Sequence, residues 1–198
     1  YLFLGPEDFQ RDACRRALAA KVLPEDERDA GATRHDLDES ELAAVMDDAC
    51  SLSLFAPRRL LWIGRAEAAV PRGNETIQPP PALASYVKDP TPGVVMVFDS
   101  ARYDFDGEDK TKQERVRKFY AAIPVQVEFT RWSAVQARKL AQDLVREAGL
   151  RIAPDDLTLL VEAVGSAPSR IATEIEKLRL FAGEGGRITA DDIASLVP

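Results

Sequence analysis

Histidine and cysteine are scarce in this sequence of 198 residues. His35 is the single histidine, and Cys14 and Cys50 are the two cysteines. This composition excludes a zinc site built on several histidines and most histidine-dependent catalysis, so we predict a structural His35, no metal and no cofactor. Because the cysteines lie far apart, we expect neither a disulfide framework nor a Cys-x-x-Cys metal pair, and we predict that both are small core residues with free thiols.

Long apolar runs are lacking as well. No run approaches the roughly 20 residues that a membrane helix needs, and the first residues show no basic-then-apolar targeting pattern. We therefore predict a cytoplasmic protein without a membrane partner. The first residue is Tyr1 rather than Met, and we expect that the first residues of the natural protein are missing from this sequence.

Basic residues are few in the first 50 residues of the chain. The formal net charge is -7, and residues 1–50 carry 6 basic and 13 acidic side chains, so the remainder is neutral overall. An acidic surface argues against a protein that binds nucleic acid mainly by neutralising phosphates. It leaves open DNA contact by a few residues within a larger assembly.

The apolar pattern divides the chain into two parts. In the first part apolar strands alternate with helical stretches, as a mostly parallel α/β sheet requires, with strands expected at residues 1–4, 33–37, 60–63, 94–98 and 125–129. After Phe129 the pattern predicts helices only, with capping boxes at Ser133 and Thr189. We predict an α/β domain over residues 1–131 and a small all-α domain over residues 132–198.

The first strand leads into a degenerate phosphate loop, Gly5-Pro6-Glu7-Asp8. A P-loop requires a second glycine, a lysine for the phosphates and a Ser or Thr for magnesium, and all three are absent here. Glu7 and Asp8 would bring carboxylates to a helix N-terminus that could otherwise hold an anion. The loop is therefore predicted to be non-functional.

The fourth strand gives the same indication. It ends in an aspartate, Asp99, like a Walker B strand, but Ser100 stands where an ATPase needs its glutamate. The two features together predict a P-loop-type fold that does not hydrolyse ATP.

A short hydrophobic segment lies between the helical stretch 41–50 and the strand at 60–63. It contains Leu52, Leu54 and Phe55 and is followed by Pro57, which disfavours helical geometry before it and has no amide hydrogen. A protruding Leu-Phe pair is a typical anchor for a pocket on a partner. The alternative is that these side chains simply cover the domain core.

Three stretches carry a resemblance to a known family. They are YLFLGPEDF at the start, SLSLFAPRRLLWI around the Leu-Phe pair, and GSAPSRIATEIEKLRLFAGEGGRITADDI near the end. In this order and spacing the chain resembles the delta subunit family of bacterial DNA polymerase III clamp loaders, over essentially all its residues. The resemblance implies an AAA+-like fold in which the parallel five-stranded sheet domain is followed by a helical lid domain.

The resemblance also implies a role and partners. Leu52, Leu54 and Phe55 would insert into a hydrophobic pocket on the ring-shaped sliding clamp (beta) and help to open the ring. The subunit itself would be a non-catalytic part of the polymerase III assembly that does not hydrolyse ATP, and so not an enzyme. The other partners would be the ATP-hydrolysing loader subunits (gamma/tau), delta prime and primed DNA. A third, C-terminal collar domain is expected to be absent from this chain, which stops at Pro198.

Two basic features leave alternatives open. The densest basic run predicts either a solvated helix face or a DNA-proximal role for Arg115 and Lys118, its members being Lys110, Lys112, Arg115, Arg117 and Lys118. Arg170 lies near the place of the phosphate-sensing arginine of active AAA+ proteins, and a plain helix surface is the alternative. For the whole chain, the alternatives to a clamp loader subunit are a nucleotide-binding AAA+ ATPase and a scaffold module with another partner.

Overall fold

The computed structural model describes residues 1–51, 57–72, 76–101, 109–183 and 185–197. The chain divides into two compact units, Tyr1–Thr130 and Arg131–Pro198. Within the described ranges, no helix has both the length and the apolar character needed to cross a membrane.

The first unit is built on a parallel sheet, which confirms the predicted fold class. Its described strands are β1 (Leu2–Leu4), β2 (Ala32–Asp36), β3 (Arg59–Gly64), β4 (Val94–Ser100) and β5 (Gln126–Glu128). They are arranged in the order β2-β3-β4-β1-β5, and every neighbouring pair is parallel. Because β1 lies between β4 and β5, the loop after β1 meets the carboxyl ends of both strands.

Helices connect these strands. They are α1 (Asp8–Val22), α2 (Arg28–Gly31), α3 (Leu42–Cys50), α4 (Pro81–Lys88) and α5 (Asp109–Phe119), together with 3₁₀ turns at Glu25–Glu27 and Ala66–Ala69. The sequence pattern predicts helices at residues 7–22 and 41–50, from the Pro79–Pro81 run through Tyr86, and at residues 112–122, and the four longer helices match these bounds to within about three residues. It does not predict α2 or the turn before it, which are too short to show a helical apolar stripe.

Alternate side chains of the strands bury apolar surface on both faces of the sheet. Leu2 and Leu4 belong to a core cluster with residues of α3, α4 and α5. Phe3 points to the opposite face, where α1 packs, and its ring meets Trp62 edge-on at 5.5 Å and Phe129 at 5.0 Å. Burying each such side chain stabilises the fold by about 1.5–3 kcal/mol, so β1 is held firmly in spite of its three-residue length.

The second unit is mainly helical. Its described helices are α6 (Ala134–Glu147), α7 (Pro154–Ala163), α8 (Pro168–Ala182) and α9 (Ala190–Leu196). Both predicted capping boxes are confirmed, at Ser133 with Gln136 and at Thr189 with Asp192. The unit also contains a short parallel pair, β6 (Arg151–Ile152) with β7 (Arg187–Ile188), which the sequence pattern does not indicate because two-residue strands leave no periodic signal.

The predicted burial of the cysteines is wrong. Cys14 and Cys50 are both exposed, with free thiols. In α1 it is Leu18, Ala19 and Val22 that pack against the sheet, and Cys14 lies on the outward face of that helix. Cys50 is the last residue of α3 and follows the final buried position of the helix.

Candidate functional site

The Leu-Phe segment, residues 52–56, contains the predicted clamp anchor. Leu52, Leu54 and Phe55 lie outside the described residues, so their role stays a prediction. Its two flanks are described: α3 ends at Cys50, and β3 begins at Arg59.

The loop after β1 is held tightly between the ends of two strands. The Gly5 amide donates a hydrogen bond to the carbonyl of Ser100 (3.2 Å), and the Glu7 amide donates to the carbonyl of Phe129 (3.2 Å). Gly5 has φ +126°, and a Cβ added to it would lie 2.1 Å from the Phe129 carbonyl oxygen. Only glycine fits here. Pro6, which follows, has no amide hydrogen to offer a phosphate.

Glu7 occupies the position at which a helix N-terminus could hold a phosphate. One carboxylate oxygen accepts a hydrogen bond from the Phe9 amide (3.0 Å), and the other accepts one from the Gln10 amide (2.9 Å). The side chain is the N-cap of α1, and the residue is only 5% exposed. The protein's own carboxylate therefore satisfies amides that a bound anion would need. Asp8 is the first residue of α1 and is exposed.

The Arg11 side chain lies beside Asp99, near the end of β4. The Arg11 guanidinium donates a hydrogen bond to the Gly5 carbonyl (2.5 Å), and its Nε lies 3.6 Å from Asp99 Oδ1. Both side chains are 13% exposed. Arg11 comes one helical turn after Glu7. The first turn of α1 therefore brings the Glu7 carboxylate and the Arg11 guanidinium to the same loop.

Burial dominates the electrostatics of Asp99. Burial raises the pKa of Asp99 to about 6, the Arg11 cation opposes this effect, and the negative charge of Glu67 adds to it. Asp99 Oδ1 is buried and accepts no hydrogen bond from the described residues. The carboxyl group is therefore costly to ionise in the folded protein.

A cavity of about 260 Å³ adjoins Asp99 at the carboxyl edge of the sheet. Four arginines and three aspartates line it, so its charges nearly balance. Arg15 pairs with Asp12 (3.4 Å), and Arg65 pairs with Asp38 outside the lining. The charged side chains that line it are Arg11, Arg15, Arg34, Arg65, Asp12, Asp36 and Asp99. This cavity offers a triphosphate little net positive charge.

An ionic cluster that the sequence analysis did not identify lies at the ends of the Leu-Phe segment. Arg59 Nη2 donates a hydrogen bond to Asp48 Oδ1 (2.5 Å), and His35 Nε2 lies 2.8 Å from Asp48 Oδ2. Partial burial alone would raise the pKa of Asp48, but the hydrogen bonds from Arg59 and His35 outweigh it and hold that pKa below its usual value. In the sequence, Arg59 cannot be told from its exposed neighbour Arg58.

The predicted DNA-proximal pair lies on α5. Arg115 is half-buried, and its guanidinium donates a hydrogen bond to the Pro71 carbonyl (2.6 Å). Lys118, one turn later, is exposed, and Arg117 between them pairs with Glu128. Part of the hydrogen-bonding capacity of Arg115 is thus used to hold the loop at Pro71. A DNA-proximal role for Arg115 and Lys118 stays a prediction.

Arg170 is exposed in the first turn of α8. Farther along this helix, Arg179 pairs with Glu176 three residues before it (2.6 Å), and both side chains are exposed. Such a pair is typical of a solvent-facing helix surface. It fits the interpretation of Arg170 as part of a plain helix surface.

Comparisons with known proteins point to one family. Residues 1–121 match the family described as DNA polymerase III, delta subunit. The Bacillus subtilis DNA clamp loader delta protein (YqeN) is 25% identical, with a TM-score of 0.65, and the match covers 100% of this chain and 57% of that chain. No curated protein sequence matches significantly.

A second structural match concerns the fold alone. The Thermotoga maritima RuvB Holliday junction branch migration motor is 13% identical, with a TM-score of 0.57, over 98% of this chain and 59% of that chain. The present chain therefore spans less than two thirds of each of these proteins. Since the delta subunit match extends over more than half of the present sequence, the chain belongs to the DNA polymerase III delta subunit family.

Proposed function

We propose that this chain is the part of a clamp loader delta subunit that binds the sliding clamp and helps to open it, without hydrolysing ATP itself. The observation that carries the proposal is the family match over residues 1–121, which includes the Leu-Phe segment. The likeness to the Bacillus subtilis clamp loader delta protein over the whole chain supports it.

The flanks of the Leu-Phe segment support its role as the anchor. The segment connects the end of α3 to the first residue of β3, the strand in the middle of the β2-β3-β4 part of the sheet. A rigid sheet strand is a suitable base for an anchor, because little conformational freedom then has to be lost when the partner binds. Truncating a buried aromatic anchor such as Phe55 typically costs on the order of 2–4 kcal/mol of binding.

The phosphate loop supports the absence of ATP hydrolysis. Glu7 is bound to the amides of α1, and Arg11 lies beside Asp99. A nucleotide would have to displace both groups and would then meet the freed Glu7 carboxylate as a like charge. The proposed partners are the clamp (beta), ATP-hydrolysing loader subunits (gamma/tau), delta prime and primed DNA, and the proposed location is the cytoplasm.

The test is binding of this chain to the cognate sliding clamp without nucleotide. A Leu54→Ala/Phe55→Ala variant is expected to lose at least about thirtyfold in affinity, because truncating Phe55 alone typically costs about 2 kcal/mol or more. The matched control is Leu180→Ala/Phe181→Ala, because these two residues form an exposed Leu-Phe pair in α8, at 71% and 59% exposure. This control is expected to bind like the wild type.

Three results would contradict the proposal. Absence of clamp binding by the folded wild-type chain would favour a scaffold module with another partner. Equal losses in the two double variants would remove the special role of Leu54 and Phe55. Measurable ATP affinity in the same preparation by isothermal titration calorimetry, together with release of phosphate from the bound ATP, would favour a nucleotide-binding ATPase on this scaffold.

A further inference from the structure

One arginine is tied to both ends of the Leu-Phe segment. Arg59 is the first residue of β3 and is only 9% exposed, although it carries a full charge. Charged side chains are rarely buried to this extent unless they are paired and hydrogen-bonded. The hydrogen-bond partners of Arg59 therefore account for its burial.

The guanidinium group holds the end at which the chain enters the segment. Nη1 donates to the carbonyl of Asp48 (2.8 Å) and to the carbonyl of Ser51 (3.3 Å), while Nη2 donates to the Asp48 carboxylate. The first of these carbonyls belongs to the last turn of α3, and Ser51 is the C-cap of that helix. A cation at this position satisfies carbonyls that lack a partner within the helix and complements the helix dipole.

The Asp48 carboxylate is oriented in turn from the other side. His35 of β2 lies 2.8 Å from its second oxygen. Three neighbouring elements, β2, α3 and β3, thus each contribute one side chain to a single cluster. Such an arrangement fixes the rotamer of Arg59 through packing and hydrogen bonds from separate parts of the fold.

The backbone near Arg59 holds the other end of the segment. The Arg59 amide donates to the Gly93 carbonyl (2.9 Å). The Pro57 carbonyl oxygen approaches Gly93 so closely that a Cβ there would lie 2.4 Å from it. The side chain of Arg59 thus holds Ser51, the residue before the Leu-Phe segment. The main chain of Arg59 begins β3, which follows the segment.

We propose that Arg59, oriented by Asp48 and His35, is a positioning residue for clamp binding, which fixes the distance between the two ends of the segment that carries Leu54 and Phe55. The inference rests on the proposed function. Because the cluster orders Ser51 and the start of β3 before binding, these flanks have little conformational entropy left to lose on the clamp.

The first test is a double-mutant cycle on clamp affinity. Arg59→Gln is expected to weaken binding about tenfold, and Phe55→Leu is expected to cost less in the Arg59→Gln background than in the wild type, because a badly placed Phe55 contributes less. The matched control Arg58→Gln removes the neighbouring, exposed charge and is expected to leave affinity unchanged. Additive losses, or equal losses at Arg58 and Arg59, would overturn the inference.

The second test needs no clamp. The Ser51 amide donates to the Asp48 carbonyl, so Arg59→Gln is expected to speed its hydrogen exchange at least about tenfold, while amides in the middle of β3 keep their protection. Unchanged exchange at Ser51, or an equal rise throughout β3, would contradict a positioning role. Arg59→Lys, which keeps the charge but not the planar fork, is expected to give an intermediate value in both tests.

The two tests separate the failure of this inference from failure of the proposed function. If the wild type does not bind the clamp, or if Phe55→Leu has no effect, the proposed function fails. If the wild type binds through Phe55 but Arg59→Gln has normal affinity or normal Ser51 exchange, the positioning role alone is wrong.

Discussion

Replacing Asp99 by asparagine is predicted to change how the stability of the α/β unit depends on pH. Asp99 is the penultimate residue of β4, and its side chain is 13% exposed. Burial raises its pKa from the ordinary 3.8 to about 6, Arg11 lowers it, and Glu67 raises it further. An asparagine of nearly the same shape removes the ionisation and leaves the packing almost unchanged.

The sign and size of the effect follow from proton linkage. Between about pH 4 and pH 6 the folded chain keeps the Asp99 proton while the unfolded chain has released it, so the wild type loses stability as the pH rises through this window. A shift of about two pKa units corresponds to about 3 kcal/mol. The free energy of unfolding of Asp99→Asn relative to the wild type should therefore rise by up to about 3 kcal/mol from pH 4 to pH 7.

The assay is urea unfolding between pH 4 and pH 8, followed by tryptophan fluorescence. A Trp132→Phe background leaves Trp62 of β3 as the reporter of the α/β unit. Ser100→Ala is the control, because it alters the neighbouring buried residue without an ionisable group and must leave the pH dependence of the wild type unchanged. A pH-independent difference between Asp99→Asn and the wild type would refute the argument, and so would one that falls as the pH rises.

Two further changes test the phosphate loop and the contact between Gly93 and Pro57 beside the Leu-Phe segment. Glu7→Ala removes the carboxylate that accepts from two amides of α1 and should lower the free energy of unfolding by about 1–2 kcal/mol in urea titrations, whereas a neutral result would show that Glu7 does not cap the helix. Gly93→Ala combines φ +80° with a 2.4 Å clash on the Pro57 carbonyl, and calorimetry should show a larger drop in Tm than for Gly149→Ala, which has φ +67° and open space. Equal drops would mean that the contact with Pro57 is readily relaxed.

The parts of the fold that the sequence predicts are those encoded by neighbouring residues. The apolar run from Val94 to Phe98 indicates a buried strand by itself, and the structure has β4 at Val94–Ser100. The capping boxes at Ser133 and Thr189 mark helix starts through contacts only three residues apart. Periodicity and capping are local properties, so a single sequence contains them.

The parts that the sequence does not predict depend on contacts between distant residues. In α6 the apolar pattern favours Leu140, Leu144 and Val145 as core positions. Val145 is buried and Leu144 packs against the core, but Leu140 is only half-buried, and the other buried positions are the small residues Ala137 and Ala141. The candidate site shows the same limit. Glu7 can be identified from its place at a helix start, whereas the ion pair of Arg11 with Asp99 joins residues that are far apart in the sequence.

The charges of the phosphate loop bear on how such a subunit could respond to ATP. In a P-loop ATPase the phosphate and the metal arrive and leave, and the loop changes its contacts with them. Here the corresponding anion and cation are Glu7 and Arg11, which are part of the chain and so stay at a high effective concentration beside their partners. Under the proposed function, a site filled in this way is expected to keep the same contacts whether or not nucleotide is present. An ATP-driven change in access to the Leu-Phe segment is then expected to come from neighbouring subunits, and not from the phosphate loop of this one.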